Sequence, residues 1–215
     1  MIKKKLYIFG IGGHSKVILS EVVNSEFFSS IIFIAPNDYK EDNILIDDIE
    51  YKVLNNLEDL RKAYDKNSCG VIGIGSIDKR IKIAAEVEQK IPNFKWTKII
   101  SANSTIAKNV KINDGTVVIT GTIINTGTII GRHCIINTRA SIDHDNMIGD
   151  FINISPSVVT GGSVVINDNS DIGIGSTIKN NILIDKNVKI GGKSFVNKDC
   201  KSNSLYYGSP IKKIK

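Results

Sequence analysis

A strict repeat of six residues runs without insertion from Ile106 to Val196 and limits what this chain can fold into. An aliphatic residue opens every hexad except the one that begins at Thr160. A period of six is neither the 3.6-residue period of a helix nor the alternation of a simple strand, so it predicts a solenoid. Small or branched residues mostly recur four positions after the opening residue (Val110, Thr116, Thr122, Thr128, Cys134, Ala140, Val158, Val164, Ser170, Ser176).

Each hexad predicts one short strand and one turn, with the aliphatic side chain inside and the small one in the corner. Three hexads close a triangular coil, and the repeat gives a little over five coils, stacked about 4.8 Å apart. Residues that tolerate left-handed backbone angles follow many inward aliphatics and are expected to form the turns (Asn113, Asn125, Gly131, Asn137, Asp143, Gly149, Gly173, Gly191).

The first 97 residues have a different pattern. Apolar strands are expected at residues 5–9, 31–34 and 70–75. Helices are expected after the glycine turn at 10–15, at 57–64 and up to about residue 90. This order predicts a small parallel, Rossmann-like α/β domain, with a ligand site where the strands end near the glycine turn. We therefore expect an α/β domain at 1–97, a linker at 98–105, a β-helix at 106–200 and a tail at 201–215.

Composition narrows the class of partner. The net charge of +6 and a pI of about 9.1 come from dispersed lysines and arginines, which disfavours nucleic acid and suits small polyanions. No apolar run approaches the roughly 20 residues that span a membrane. Three scattered cysteines (Cys69, Cys134, Cys200) predict a reducing cytoplasm. The chain has no HExxH or CxxC motif, so no metal site is expected.

His144 is the best candidate for proton transfer. It stands two positions after the inward Ile142, on an outer corner, between Asp143 and Asp145. An adjacent carboxylate can hold one imidazole nitrogen and leave the other as a base. His133 lacks such neighbours and is expected at the surface.

Gly162 should lie one coil beyond His144 on the same corner, because it follows eighteen residues later. A glycine N–H there could stabilise a developing oxyanion, and the break at Thr160 adds to the irregularity of this corner. Cys134 falls at an inward position and is expected in the core rather than as a nucleophile. A direct transfer without a covalent enzyme intermediate is therefore favoured.

The glycine turn is a poor dinucleotide fingerprint. The third glycine of GxGxxG would fall at Ser15, and the acidic residue expected further on is only loosely matched by Asp38. The turn does offer free N–H groups at a helix N-terminus, which suit phosphate.

Four segments together resemble the NeuD/PglD-type sugar acetyltransferases of the hexapeptide-repeat superfamily. They are Phe9-Gly10-Ile11-Gly12-Gly13-His14-Ser15-Lys16, Ile74-Gly75-Ser76, residues 135–145 and Tyr207-Gly208-Ser209-Pro210-Ile211-Lys212. The resemblance implies a left-handed β-helix, a homotrimer, acetyl-CoA as cosubstrate and a nucleotide-linked amino sugar as substrate.

The resemblance also assigns residues. His144 would be the general base, supported by Asp145 or Asp143, and Gly162 would donate to the thioester oxygen. The nucleotide sugar would contact Gly12, Gly13, His14, Asn37, Asp38, Gly75 and Asn137. Acetyl-CoA would border Asn153, Gly162, Gly173, Ile174, Gly175, Gly191, Gly192, Gly208, Pro210 and Lys212.

One residue departs from the family pattern. Asn153 occupies the position, nine after the base, where these proteins commonly have a second histidine. Asn153 can donate a hydrogen bond but cannot titrate. The leading hypothesis is N-acetylation of a 4-amino-4,6-dideoxy sugar. The alternatives are O-acetylation of sialic acid or a related nonulosonic acid, and a catalytically inert scaffold that binds a nucleotide sugar.

Overall fold

A computed structural model describes residues 3–35 and 39–215. The chain divides into two compact units, Met1–Ile99 and Ile100–Lys215. The division falls inside the segment 98–105, where a strand occupies Ile99–Ile100.

The N-terminal unit is a five-stranded sheet with helices between its strands. Its elements are β1 (Lys4–Phe9), α1 (Gly13–Val22), β2 (Phe28–Ile34), β3 (Asn43–Ile46), β4 (Ile49–Leu54), α2 (Leu57–Ala63), β5 (Ser68–Ile72) and α3 (Ile77–Lys90). The strand order is β3-β4-β2-β1-β5. The order confirms the small parallel α/β fold, and the antiparallel hairpin β3–β4 is an addition that the sequence pattern did not indicate.

The core of this unit is centred on β1, whose last four residues are buried. Helix α1 packs with Ile18, Leu19 and Val22 inward. Val17 and Val23 are exposed. A helix turns by about 100° per residue, and residues 18 and 22 define a stripe that residues 17 and 23 flank.

The second unit is a parallel β-helix of three sheets. Sheet I contains β7 (Thr105–Ile106), β10 (Ile123–Ile124), β13 (Ser141–Ile142), β16 (Val159–Thr160), β19 (Thr177–Ile178) and β22 (Phe195–Val196). Sheet II contains β8 (Lys111–Ile112), β11 (Ile129–Ile130), β14 (Met147–Ile148), β17 (Val165–Ile166) and β20 (Leu183–Ile184). Sheet III contains β6 (Ile99–Ile100), β9 (Val117–Val118), β12 (Ile135–Ile136), β15 (Asn153–Ile154), β18 (Asp171–Ile172), β21 (Lys189–Ile190), β23 (Leu205–Tyr207) and β24 (Lys212–Lys213).

Strands eighteen residues apart pair in parallel, as the period predicts. Ile124 pairs with Ile142, and Ile142 pairs with Thr160. The inward side chains from 118 to 196 are all nearly inaccessible to solvent, which confirms the phase of the repeat. Strands β23 and β24 extend sheet III into the segment 201–215 and form its antiparallel end.

The turns use left-handed angles at a different position from the one expected. Positive φ occurs three residues after the inward side chain, for example at Asp145 (56°) and Ser163 (57°). The glycines directly after inward residues are instead required by close stacking. A Cβ on Gly131 would come within 2.5 Å of the Gly149 carbonyl group.

Within the described ranges, the helices are all too short or too polar to cross a membrane.

Candidate active site

The side chains of His144 and Asp145 form a hydrogen-bonded pair on the edge where sheet I turns into sheet II. We call this the I–II edge; it includes residues 108–109, 126–127, 143–146 and 161–163. His144 Nδ1 lies 2.8 Å from Asp145 Oδ2. Because an ionised carboxylate only accepts, Nδ1 carries the proton in this pair and Nε2 is left as the acceptor. Both side chains are more than half exposed, so a substrate can reach them.

The two flanking carboxylates act differently. The hydrogen bond that Nδ1–H donates to Asp145 is the largest cause of a raised pKa at His144, and the charge of Asp143 adds to it. Asp143 accepts from the His144 backbone N–H at 2.8 Å and from Asn125 Nδ2 at 3.1 Å. These bonds lower the pKa of Asp143. Asp145 therefore orients the imidazole, and Asp143 holds the turn.

Two glycines make room for this pair, one coil before it and one coil after it. A Cβ on Gly162 would lie 2.5 Å from both Cε1 and Nε2 of His144. A Cβ on Gly127 would collide with Asp145 Oδ1. The imidazole thus occupies the space that a side chain at position 162 would need. The Gly162 N–H donates to no atom of the described residues.

Thr160 and Asn146 support the same turn from inside the β-helix. The Thr160 hydroxyl accepts from the Asp143 N–H at 3.2 Å, which accounts for the break in the aliphatic column. The Asn146 amide donates to the carbonyl oxygens of Asp143, His144 and Gly161.

Sequence reasoning missed Asn125, Gly127 and Asn146. Asn125 stands eighteen residues before Asp143, and Gly127 stands eighteen before Asp145, so the period could have indicated both contacts. Asn146 could have been noticed because the other corner positions hold small or apolar residues.

Apart from Gly162, the glycines assigned to acetyl-CoA lie on another edge, where sheet III turns into sheet I. This III–I edge includes Asn137 and the stacked turns 173–175, 191–193 and 207–208. Gly173 and Gly191 are needed for packing, because a Cβ would meet Gly192 N at 2.6 Å in the first case and the Tyr207 ring in the second. Ile174 is exposed, while Gly175 and Gly208 adopt positive φ.

Three further assigned residues lie on or beyond sheet III. Asn153 is half-buried in β15, paired with Ile135 and Asp171. Pro210 follows a cis peptide bond, and Lys212 is exposed in β24. The structure thus groups His144, Asp143, Asp145 and Gly162 on one edge and places Asn137 with the acetyl-CoA glycines on the other.

The N-terminal unit contains its own cavity of about 600 Å³ beside the glycine turn. Of the residues assigned to the nucleotide sugar, Gly12, Gly13, His14 and Gly75 line it. Asn37 and Asp38 lie outside the described residues. A Cβ on Gly12, Gly13 or Gly75 would meet nothing within 4 Å. Packing therefore does not require glycine at these positions, and the bare backbone leaves room for a ligand to approach closely.

The charged side chains around this cavity are two lysines and Glu86, which lies 3.9 Å from Lys82, so the net charge of the lining is positive. Lys79 and Lys82, in the first turns of α3, line it, and α1 begins there without a side-chain cap, so free N–H groups face the cavity mouth. Burial, assisted by the charge of Arg80, lowers the pKa of His14 to about 4. His14 is therefore neutral at pH 7, and its Nε2 has no hydrogen-bond partner among the described residues.

His133 is buried, not at the surface as the sequence suggested. It is 1 % exposed and stacks on Phe151, with ring centroids 5.0 Å apart. Gly115, one coil earlier, leaves the space that its ring occupies. Cys134 is fully buried, as expected of a core residue.

The outer face of sheet II is apolar along four successive coils. Ile129, Met147 and Leu183 are all more than a third exposed, and Val165 completes the row. Within the described ranges, no cluster of three or more His, Cys, Asp or Glu side chains could hold a metal ion.

Comparison with known proteins extends these observations. Residues 5–87 match the family model described as the PglD N-terminal domain, which confirms the resemblance that begins at the glycine turn. The acetyltransferase domain of PglB from Neisseria gonorrhoeae FA1090, in complex with acetyl coenzyme A, is 22 % identical. The match covers 99 % of this chain and 100 % of that one, with a TM-score of 0.89.

Two other solved structures are similar over nearly their whole length. PerB from Caulobacter crescentus, in complex with CoA and GDP-perosamine, is 22 % identical over 98 % of this chain and 97 % of that chain, with a TM-score of 0.85. WeeI from Acinetobacter baumannii AYE is 22 % identical over 99 % and 100 %, with a TM-score of 0.86. These likenesses confirm the fold class, an α/β domain followed by a left-handed β-helix.

Proposed function

We propose that this protein transfers the acetyl group of acetyl-CoA to the 4-amino group of a nucleotide-linked 4-amino-4,6-dideoxy sugar. The observation that supports this most directly is the I–II edge, where the Nδ1-anchored imidazole of His144 lies against the backbone of Gly162. The pairing offers a base and an oxyanion donor side by side, which acyl transfer to an amine requires. The solved relatives crystallised with acetyl coenzyme A, CoA and GDP-perosamine point the same way.

In the proposed reaction the sugar amine attacks the thioester carbonyl carbon. His144 Nε2 takes a proton from the nitrogen as the C–N bond forms, and the carbonyl oxygen becomes an oxyanion beside the Gly162 N–H. Collapse of this intermediate breaks the C–S bond and expels the thiolate of CoA, which the imidazolium can protonate. The products are the amide and CoA, and the imidazole returns neutral.

We assign the nucleotide to the N-terminal cavity. Gly12, Gly13 and Gly75 would let its phosphates approach the backbone, and Lys79 and Lys82 would balance their charge. His14, Asn37 and Asp38 belong to this proposed site, and Asn137 is proposed to place the sugar. Acetyl-CoA would lie between neighbouring subunits, along the III–I edge of one copy, with its thioester at Gly162 on the I–II edge of the other.

We further propose a homotrimer. Covering the row Ile129, Met147, Val165 and Leu183 with a second copy would bury apolar surface that water otherwise meets. The row borders the I–II edge, so the neighbouring copy would lie close to His144 and could complete its site. Threefold closure would satisfy such a face in every copy. Three free, buried cysteines support the reducing cytoplasm as the location.

The testing experiment is thiol release from acetyl-CoA with a panel of acceptors: UDP- and dTDP-4-amino-4,6-dideoxy sugars, GDP-perosamine, sialic acid and CMP-sialic acid. Turnover on one amino sugar is the expected result and would identify the nucleotide. Activity on sialic acid alone would replace the proposal by O-acetylation. If no acceptor of the panel gives thiol release and CoA does not bind, the protein would instead be a catalytically inert scaffold.

A further inference from the structure

Asn146 is a buried amide directly beneath the His144 turn. Its side chain is inaccessible to solvent. The two hydrogens of Nδ2 are shared among Asp143 O at 2.7 Å, Gly161 O at 3.0 Å and His144 O at 3.1 Å. Three carbonyl oxygens, which can only accept, surround one end of this amide. That end must therefore be the NH₂ group.

Other corner side chains make part of this arrangement. The hydroxyls of Thr116, Thr122, Thr128, Ser170 and Ser176 each donate to the carbonyl fifteen residues later. The bond from Asn146 to Gly161 has the same spacing and ties one coil to the next. Its bonds to Asp143 and His144 are additional. Ser194, at a later corner, also donates to the carbonyl three residues earlier, that of Gly191, whereas Asn146 makes the bond within its turn and the bond between coils together.

The bond to Gly161 has a consequence for the next residue. Gly161 C=O and Gly162 N–H belong to one peptide unit, which is planar and trans, so the two groups point in opposite directions. Holding the oxygen inward against Asn146 directs the Gly162 N–H outward, towards the edge where the imidazole lies. The same amide holds the carbonyl of His144, which also accepts from Ser163 N–H at 2.9 Å.

Stability alone does not account for this residue. Asn146 Oδ1 is buried and has no hydrogen-bond partner among the described residues, and such an acceptor is costly to bury. A threonine, as at Thr128 one coil earlier, could keep the bond between coils without that cost.

We propose that Asn146 is a positioning residue that sets the geometry between the His144 imidazole and the Gly162 N–H. The inference rests on the proposed function, in which these groups are the base and the oxyanion donor. Asn146 touches neither substrate; it acts by holding the two backbone segments that present them.

Asn146→Thr is the informative variant, because every carbonyl should keep a partner. Asp143 O would keep Thr128 Oγ1 at 2.9 Å, His144 O would keep Ser163 N–H, and Gly161 O would gain the new hydroxyl. We expect folding to be retained and kcat to fall about tenfold or more, with KM for acetyl-CoA little changed, since misplacing reacting groups costs rate. Asn146→Ala, which leaves Gly161 O unpaired, should lower kcat by about 10².

The matched control is Ser170→Ala, which removes a bond between coils at an equivalent corner of sheets II and III. Rates would be measured with the best acceptor of the panel, and melting temperatures would be recorded for all variants. Wild-type kcat in Asn146→Thr would overturn the proposal. So would an equal loss of kcat in Ser170→Ala, because the effect would then belong to coil packing.

A second readout does not depend on turnover. The imidazole of His144 would be titrated by NMR, with its signal assigned by its loss in His144→Ala. In Asn146→Ala the raised pKa of His144 should fall towards its ordinary value, as the turn no longer holds Nδ1 against Asp145. An unchanged pKa of His144 in Asn146→Ala would overturn the proposal even if no acceptor of the panel is turned over. Absence of turnover by the wild type would count only against the proposed function.

Discussion

The imidazole of His144 lies against the backbone of Gly162, one coil further along the β-helix. A Cβ at position 162 would lie 2.5 Å from both Cε1 and Nε2 of the ring. A side chain at position 162 would therefore displace the imidazole from its present place, before any ligand is considered. The contact brings the end of the ring that carries Nε2 against a residue whose N–H has no partner among the described residues, and the predictions below test what this contact does.

His144→Ala should lower turnover by about 10²–10⁴-fold, because the proton acceptor is lost. The affinity for acetyl-CoA should change little, as the ring is not assigned to that ligand. Steady-state kinetics and calorimetric titration would measure the two effects. Asn180→Ala, exposed on the same edge two coils further, is the control and should retain activity. Full activity in His144→Ala would remove it as the base.

Gly162→Ala should reduce kcat/KM for acetyl-CoA by roughly 10²–10³-fold, since the methyl group displaces the imidazole and crowds the oxyanion donor. Combining it with His144→Ala separates the two causes. A smaller effect of Gly162→Ala in the His144→Ala background would show coupling through the ring. A change confined to the melting temperature would contradict the oxyanion role.

Asp145→Asn should shift the acid limb of the pH–rate profile to lower pH. Hydrogen bonding to Asp145 raises the pKa of His144, and the base works only when neutral, so activity in the wild type appears as pH rises through that raised pKa. Removing the carboxylate lowers the pKa and moves the limb down, while kcat falls because the tautomer is no longer fixed. Asp143→Asn should move the limb less. An unchanged limb in Asp145→Asn would argue against the pairing.

His14→Gln should make the melting temperature less dependent on pH between about 6.5 and 4. Burial lowers the pKa of His14 to about 4, so the unfolded chain binds the proton more readily than the folded one in this window. The neutral histidine thus contributes stability above its unfolded pKa, up to about 3 kcal/mol, and that contribution is lost as pH falls towards 4. Thermal unfolding of both proteins across this range would measure the difference. Parallel curves would show that His14 does not titrate in this way.

Met147→Glu should dissociate the proposed trimer, because it buries a charge in the apolar face of sheet II. Light scattering after size exclusion would give the mass of each species. Thr177→Glu, on the outer face of sheet I, is the control for an added charge. If the wild type is monomeric, the proposal of a trimer is wrong. If Met147→Glu remains trimeric, the interface does not include the apolar face of sheet II.

Much of the β-helix could be predicted from the chain. Ile142 and Thr160 pair as the eighteen-residue coil requires, and Cys134 lies in the core, because the phase of an inward residue depends only on counting. The N-terminal strands around the glycine turn were likewise recognisable from their apolar runs. The hairpin β3–β4 was not, since its pairing depends on a turn at Asp47 and Asp48, both with positive φ.

The side-chain contacts of the candidate site could not be predicted by counting residues along the repeat. His133 has no carboxylate neighbours in sequence, yet it is buried because Gly115 leaves space for its ring and Phe151 stacks on it. Gly162 was expected to offer its N–H to an oxyanion, but that the imidazole of His144 packs against this glycine is seen only in the structure.

The sequence by itself determined the β-helix, its phase and the corner on which His144 stands, because a six-residue period fixes which side chains face inward along every coil. Only the tertiary structure decided that Asp145 rather than Asp143 holds the imidazole, and that Asn146 ties its turn to Gly161. The physical reason is that turn side chains are oriented by contacts with residues one coil away. A period gives the spacing of those residues, but the directions of their hydrogen bonds exist only once the coils are stacked.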